Sequence, residues 1–273
     1  MSNSVNTNVG ALVALSSLRT TNSDLDKVSK RIQTGYRVAD AADDAAVFAV
    51  AQGIRGNIKA FASVQSSLAA GEGLGQVSAA ALTGISNLVG DLKAKFANLA
   101  DGSLTSQQRI TYQNDAYQLV GQITNFINQA TYNGKNLLNS AATISFVSDV
   151  SGASLTLQTG TNMATAVTAV SDAIGNFSAA SDYSTAMADL TTFENLVNSI
   201  SAQVAAQSRS LQLQNKFVND LVDATKTGLG ALVDADVASE SAALQSLQVR
   251  QQLGTQALSI ANQRPNSLLS LFG

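Results

Sequence analysis

Two places in this 273-residue chain set carboxylates close enough to share a proton or a cation: Asp43-Asp44, and Asp234 with Asp236. Paired carboxylates can divide general-acid and general-base work, or hold a divalent metal. Their positions favour a plainer role. Asp40 to Asp44 stands where a long helical pattern begins, and Asp234 and Asp236 stand at the corresponding junction on the return path. A carboxylate at a helix start accepts the unpaired first-turn N–H groups and suits the positive end of the helix dipole, so capping is the better reading. Gly71, Gly73 and Gly75 do not follow a strand, as a phosphate-cradling loop requires. Cysteine, histidine and tryptophan are absent. Their absence removes disulfides, thiolate nucleophiles, histidine metal ligands and imidazole bases. No catalytic residue, no metal site and no cofactor is expected, and the chain is not expected to be an enzyme.

Composition narrows the partners. Sixteen Lys and Arg against nineteen Asp and Glu give a net charge of −3, the wrong balance for a surface that neutralises phosphates, so no nucleic acid is expected as a partner. No stretch approaches the roughly 18 apolar residues of a membrane span, which argues against membrane insertion. The first twenty residues lack a basic start and a continuous apolar run, so a cleaved secretory signal is not expected.

The elements that carry these residues are helices. Proline occurs once, at Pro265, so little interrupts a long helix. Stepping by seven from Val47 reaches Ile54, Phe61, Leu68, Gly75, Leu82, Val89 and Phe96. A companion row runs Val50, Asn57, Val64, Gly71, Ser78, Ile85, Leu92, Leu99. Two such rows predict a long helix with a coiled-coil-like seam, thinned at Gly71, Gly75 and Ser78, where a bend or a close helix approach is expected. A second long pattern runs from Tyr183 to about Leu232, through Leu190, Val197, Val204, Leu211 and Val218, with Phe193, Ile200 and Leu221 beside it. Between them, Thr105-Ser106-Gln107-Gln108 reads as a capping box opening a third helix, with Ile110, Tyr117, Val120 and Ile127 on one face.

The texture changes at Asn133-Gly134, a turn dipeptide. Residues 143–147 and 154–158 alternate with period two around turn residues 149–152, which predicts a β-hairpin over about 142–159. One short helix is expected around Ala164 to Ile174. The fold class is therefore mainly α: long antiparallel helices in a coiled-coil-like bundle with one small β-hairpin.

At the ends, Ala11, Leu15, Leu18, Leu25, Val28 and Ile32 form a helical stripe halted by Thr34-Gly35. Leu244, Leu247, Leu258 and Ala261 form one strip near the other end, while Val249, Leu253 and Ile260 form a second. A helix that is apolar on two sides expects a neighbour on each. Burial of one stripe does not offset the entropy of ordering a whole helix, so each terminal helix is expected to need its counterpart and further copies of the chain.

Several segments resemble bacterial flagellins. Ser4-Val5-Asn6-Thr7-Asn8 is similar to their start, and Arg31-Ile32-Gln33-Thr34-Gly35-Tyr36-Arg37-Val38 with Asp43-Asp44-Ala45-Ala46 to their next signature, with Val47 for the usual glycine and Ala42 for the usual lysine. Tyr132-Asn133-Gly134-Lys135, Gln214-Asn215-Lys216-Phe217 and Asp234 to Glu240 follow in the family's order. Gln252-Leu253-Gly254-Thr255, Ala261-Asn262-Gln263, Pro265 and Leu268-Leu269-Ser270-Leu271 resemble the family's terminus most closely.

The resemblance implies a structural subunit that polymerises helically into the flagellar filament, with a hook–filament junction protein as the alternative. It implies that residues 1–40 and 235–273 form a terminal coiled coil (D0) and residues 41–234 a helical rod with the hairpin (D1), without outer D2 and D3 domains. The implied partners are further copies of the chain, alone or with other flagellins, hook-associated and cap proteins, and the type III export apparatus with its chaperone. The implied location is extracellular, in the flagellum, reached without a cleaved signal peptide. Leu18, Leu25 and Ile32, with Leu253, Leu258 and Ile260, are the expected assembly interface.

Overall fold

The computed structural model describes residues 7–269, and the side chains among them other than those of 180 and 264–269. Ser4-Val5-Asn6 and Ser270-Leu271 of the quoted motifs lie outside the described residues. The element order is α1 (Val9–Thr34), α2 (Ala45–Leu99), α3 (Ser106–Gln129), β1 (Thr131–Tyr132), β2 (Lys135–Asn136), β3 (Ile144–Val147), β4 (Ser154–Leu157), α4 (Met163–Gly175), a 3-10 turn at Ala180–Asp182, α5 (Tyr183–Val233) and α6 (Val237–Leu269). Contacts divide the chain into two compact units. The first runs up to Gly56 and resumes at Ala224; the second is Asn57–Asp223.

In the first unit α1 and α6 pack along each other. Their direction is antiparallel: Asn8 Nδ2 donates to the Ala261 carbonyl (2.7 Å), Gln251 Nε2 to Asn22 Oδ1 (2.8 Å), and Arg31 Nη1 meets Glu240 Oε1 at 3.1 Å. Asn8 also caps α1, accepting from the Ala11 amide (3.0 Å). Gly35 ends the helix at φ 71°, a left-handed conformation that glycine adopts without steric cost, and its N–H bonds the Arg31 carbonyl.

The second unit holds the core. Its seam on α2 is the expected one from Val64 onward: Leu68, Gly75, Leu82, Val89 and Phe96 are buried, as are Gly71, Ser78, Ile85, Leu92 and Leu99. Against it α5 buries Leu190, Phe193, Val197, Ile200, Val204, Leu211 and Val218. The thinned stretch is a close approach within an unbroken helix: a Cβ on Gly71 would lie 3.0 Å from Leu211 Cδ1 and 3.1 Å from the Phe146 ring. Thr105 and Gln108 form the capping box of α3. Phe96 meets Phe177 edge to face, centroids 6.0 Å apart.

Three stripes differ from their sequence reading. On α3 the buried face is Ala116, Val120, Ile123 and Ile127, whereas Ile110 and Tyr117 are exposed. At the start of α2, Val50 and Asn57 face solvent. At the end of α5, Leu232 is exposed and Val233 is buried. Each error has one cause: apolar residues at helical spacing fix a face, and only the neighbour decides which face is covered. The expected hairpin is present, with Ile144 paired to Leu157 and Val147 to Ser154. Asn133 (φ 48°) and Gly134 (φ 72°) make a two-residue turn of the type that joins β1 to β2, a second, two-residue ladder.

Candidate functional site

Two features of the first unit stand out, the α1–α6 pair and the break that precedes α2 and α6. Inside the pair, Val28 is buried and Leu15, Leu18, Leu25, Ile32 and Leu258 are half-buried. Leu258 shares a shallow cleft with Ala11, Leu12 and Leu15, and Leu18 Cδ1 would lie 3.2 Å from a Cβ on Gly254. Of the six residues expected at the assembly interface, Leu18, Leu25, Ile32 and Leu258 are thus partly covered within one molecule. Leu253 and Ile260 are not: they are 58% and 63% exposed and share an outer strip with Val249. Val9, Leu12 and Val13 are exposed at the start of α1. The pair covers one side of each helix and leaves apolar side chains on the other.

The break is a knot of backbone and charge. The Gly35 carbonyl accepts from the Ala235 amide (2.9 Å), the Arg37 and Val38 amides donate to the Val233 carbonyl (2.7 and 3.3 Å), and Arg37 Nη2 donates to the Leu232 carbonyl (2.6 Å). Val38 and Val233 are buried beneath these bonds, and Arg55 lies over the Tyr36 ring at 5.7 Å. Lys30 Nζ bridges Asp40 Oδ2 (2.5 Å) and Asp43 Oδ2 (3.3 Å). Sequence reading found Gly35 and Arg37 but missed Lys30, whose partners stand ten and thirteen residues on, off any helical spacing.

Of the carboxylates that could have served chemistry, Asp40, Asp43, Asp44 and Asp236 are engaged in structure. Asp44 Oδ1 accepts from the Ala46 and Val47 amides (3.0 Å each), capping α2. Asp236 Oδ1 accepts from the Ala238 and Ser239 amides, capping α6. Asp43 Oδ2 accepts from the Ala39 and Asp40 amides, and Asp40 Oδ1 from the Ala42 and Asp43 amides. Asp234 lies in a backbone bridge with Tyr36.

Those bonds set the protonation of the knot. The Lys30 ammonium, then the Ala42 amide, holds the Asp40 carboxyl below its ordinary 3.8; the Ala39 and Asp40 amides, then Lys30, do the same for Asp43. The Asp40 carboxylate in turn raises Lys30. Depressed carboxylates contribute above their ordinary range and lose that contribution as pH falls through the lowered value; the raised lysine contributes below 10.5 and loses it only above. The knot therefore keeps this contribution across neutral pH and loses it in acid as the carboxylates protonate, or in strong base as Lys30 deprotonates. Carboxyl NMR titration should place both groups below 3.8, and Lys30→Met should raise Asp40 more than Asp43, because Lys30 is the first partner of Asp40 alone. Equal movement of the two would contradict this arrangement.

No group of three or more metal-ligating side chains occurs among the described residues, and no helix among them is long and apolar enough to cross a membrane.

A family model described as the bacterial flagellin N-terminal helical region matches residues 5–143, and one described as the bacterial flagellin C-terminal helical region matches residues 184–272. The unmatched middle holds β3, β4 and α4. A solved Bacillus cereus flagellin has a TM-score of 0.49 and 21% identity, covering 56% of this chain and 88% of that one. Flagellin FljM of Caulobacter vibrioides is 38% identical over 277 residues, covering 99% of this chain and 98% of its own. A Brucella melitensis flagellin is 36% identical over 280 residues, covering 98% and 99%. With matches of this extent at both ends and a short middle, the chain belongs to the bacterial flagellin family, as a short member without outer D2 and D3 domains, and is a structural subunit of the flagellar filament rather than an enzyme.

Proposed function

We propose that the filament is built from this chain in two layers, with residues 1–40 and 235–273 as an inner coiled coil (D0) and residues 41–234 as an outer rod (D1). The observation that carries this is the outward apolar strip of the α1–α6 pair, Val249, Leu253 and Ile260 with Val9, Leu12 and Val13, which one molecule leaves exposed. Further copies of the chain cover it. The backbone knot at Gly35 to Val38 and Val233 to Ala235 is the joint between the layers, stiff in its hydrogen bonds. Lateral contacts that can adopt two packings let such a filament supercoil.

The subunit reaches its place outside the cell through the type III flagellar export apparatus, escorted by its chaperone, with no cleaved signal peptide, and adds beneath a cap protein beyond the hook-associated proteins. Absence of cysteine and a single proline suit a chain that must thread unfolded and refold quickly. Purified protein added to filament seeds should grow long filaments under electron microscopy. Growth that stops at a short ring would assign the chain to the hook–filament junction instead.

A further inference from the structure

We propose that Asn133 is a site of spontaneous deamidation, and that its isoaspartyl product unseats Tyr132 from α2. The modification would occur at the turn between β1 and β2, independently of whether the chain polymerises.

Asn133 is the one asparagine of the chain that precedes a glycine. Both residues of the pair are exposed, at the tip of a two-residue turn. Nothing lies within 4 Å of where a Cβ on Gly134 would stand, so the backbone there is open to the side chain before it and to water. Among the described residues neither the Asn133 side chain nor the Gly134 amide has a hydrogen-bond partner. Asparagines inside helices are placed differently. Asn57 and Asn87 on α2, and Asn215 and Asn219 on α5, each precede a residue that carries a side chain. The amide of that residue belongs to a helix ladder, which commits it to the carbonyl four residues earlier.

With this freedom the Gly134 nitrogen attacks the side-chain carbonyl carbon of Asn133. A bond from that nitrogen to Asn133 Cγ closes a succinimide ring, the Cγ–Nδ2 bond breaks, and ammonia leaves with the proton that the Gly134 amide gives up. Water then opens the ring. Breaking the new Cγ–N bond leaves aspartate. Breaking the bond from the backbone carbonyl carbon to nitrogen leaves isoaspartate, with the main chain rerouted through Cγ. Ring closure requires the Asn133 backbone to leave its turn conformation, so the turn must open first. Little opposes that: the ladder has two pairs, Thr131 with Asn136 and Tyr132 with Lys135. Short, exposed pairings are the first to open.

The isoaspartyl product adds one atom to the main chain inside the turn. Turn length fixes the register of a hairpin, so the added atom breaks the pair of Tyr132 with Lys135. Tyr132 is held close to α2 at this point: a Cβ on Gly73 would lie 2.8 Å from its Cζ, an approach that only glycine allows. Past Lys135 the chain is anchored. Asn136 Nδ2 donates to the Ile127 carbonyl (2.7 Å), its Oδ1 accepts from the Leu138 amide (2.7 Å), and Leu137 and Leu138 are buried. The change therefore stays in the turn and the tyrosine.

The test uses the full-length chain, aged at mildly alkaline pH and sampled by peptide mapping with mass spectrometry and by an isoaspartate-specific methyltransferase. Asn133 should lose its amide before any asparagine of α2 or α5, and the methyl label should fall on the peptide that contains it. Asn133→Gln should abolish the label, because the longer side chain closes the corresponding ring far more slowly, and should leave the thermal melt unchanged. The aspartyl and isoaspartyl fractions are then separated by chromatography. In the isoaspartyl fraction the Lys135 amide should exchange faster and the Tyr132 ring resonances should move. In the aspartyl fraction, and in Asn133→Asp, both should stay close to the parent. If Asn133 keeps its amide as long as Asn57 or Asn215 does, or the label persists in Asn133→Gln, the site is overturned. If isoaspartate forms and Tyr132 does not move, the unseating is overturned while the site stands.

Discussion

Leu253→Asp is expected to leave the monomer's helix content intact and to abolish filament growth. Leu253 is 58% exposed on the side of α6 away from α1, so nothing inside one molecule depends on it. In the filament proposed above the same side chain would be covered by another copy, and covering a leucine contributes about 2 kcal/mol. Aspartate loses that contribution and brings an unpaired carboxylate into an apolar seam, which costs several kcal/mol more. At about 1.4 kcal/mol per factor of ten, the critical concentration should rise more than about a hundredfold, beyond what a seeded assay would reach. Leu258→Asp should also block growth, by a different route. Leu258 is half-buried beside Ala11 and Leu15, so a charge there loosens the α1–α6 pair in the monomer as well. Circular dichroism separates the two: Leu253→Asp keeps the parental signal, Leu258→Asp loses part of it, and both keep the melting of the second unit. Normal filaments from Leu253→Asp would remove the outer strip from the assembly interface.

The contrast between these two leucines shows what the sequence could reveal. Both fall on apolar strips of one helix, and spacing alone ranks them equally. Which is covered in the monomer depends on the side α1 takes, set through Asn8, Asn22 and Arg31, all distant in sequence from their partners. The same gap produced the misread stripe on α3. Ile110 and Tyr117 keep helical spacing with Val120 and Ile127, yet the covered face turns toward Ala116 and Ile123, because α4 packs on α3 and α2 and α5 supply the rest of the core. Local chemistry was legible throughout. The Thr105 capping box, the turn at Asn133-Gly134, the stop at Gly35 and the hairpin each depend on neighbours within a few residues. Asp44 and Asp236 were legible for that reason too, since a cap is a local bond, whereas Asp43 bonds amides ahead of α2 and Asp234 enters only a backbone bridge. Lys30 was not, because its partners lie across the break after α1.

Phe96→Ala is expected to cost the second unit about 3–5 kcal/mol, more than any surface change in that unit. The ring is fully buried and meets Phe177 edge to face, centroids 6.0 Å apart with planes at 64°. Phe177 sits just past α4, where Gln113 Nε2 donates to the Phe177 carbonyl (2.8 Å) and the Ile174 carbonyl (3.1 Å). One ring on α2 thus holds the chain segment that returns from α4 toward α5, and its removal leaves a cavity that three elements would have to close together. A unit of this size loses about 2–4 °C of melting temperature per kcal/mol, so a fall of about 10 °C is expected. Val147→Ala, at an exposed position of the hairpin, should shift it little. Phe177→Ala should destabilise less in the Phe96→Ala background than in the parent, because the ring contact, about 0.5–1.5 kcal/mol, is lost only once. Filament growth well below the lowered melting temperature should continue, since neither ring lies on a surface available to a second copy. A melting shift under about 3 °C would mean that the α2–α4 contact is not what closes this end of the core.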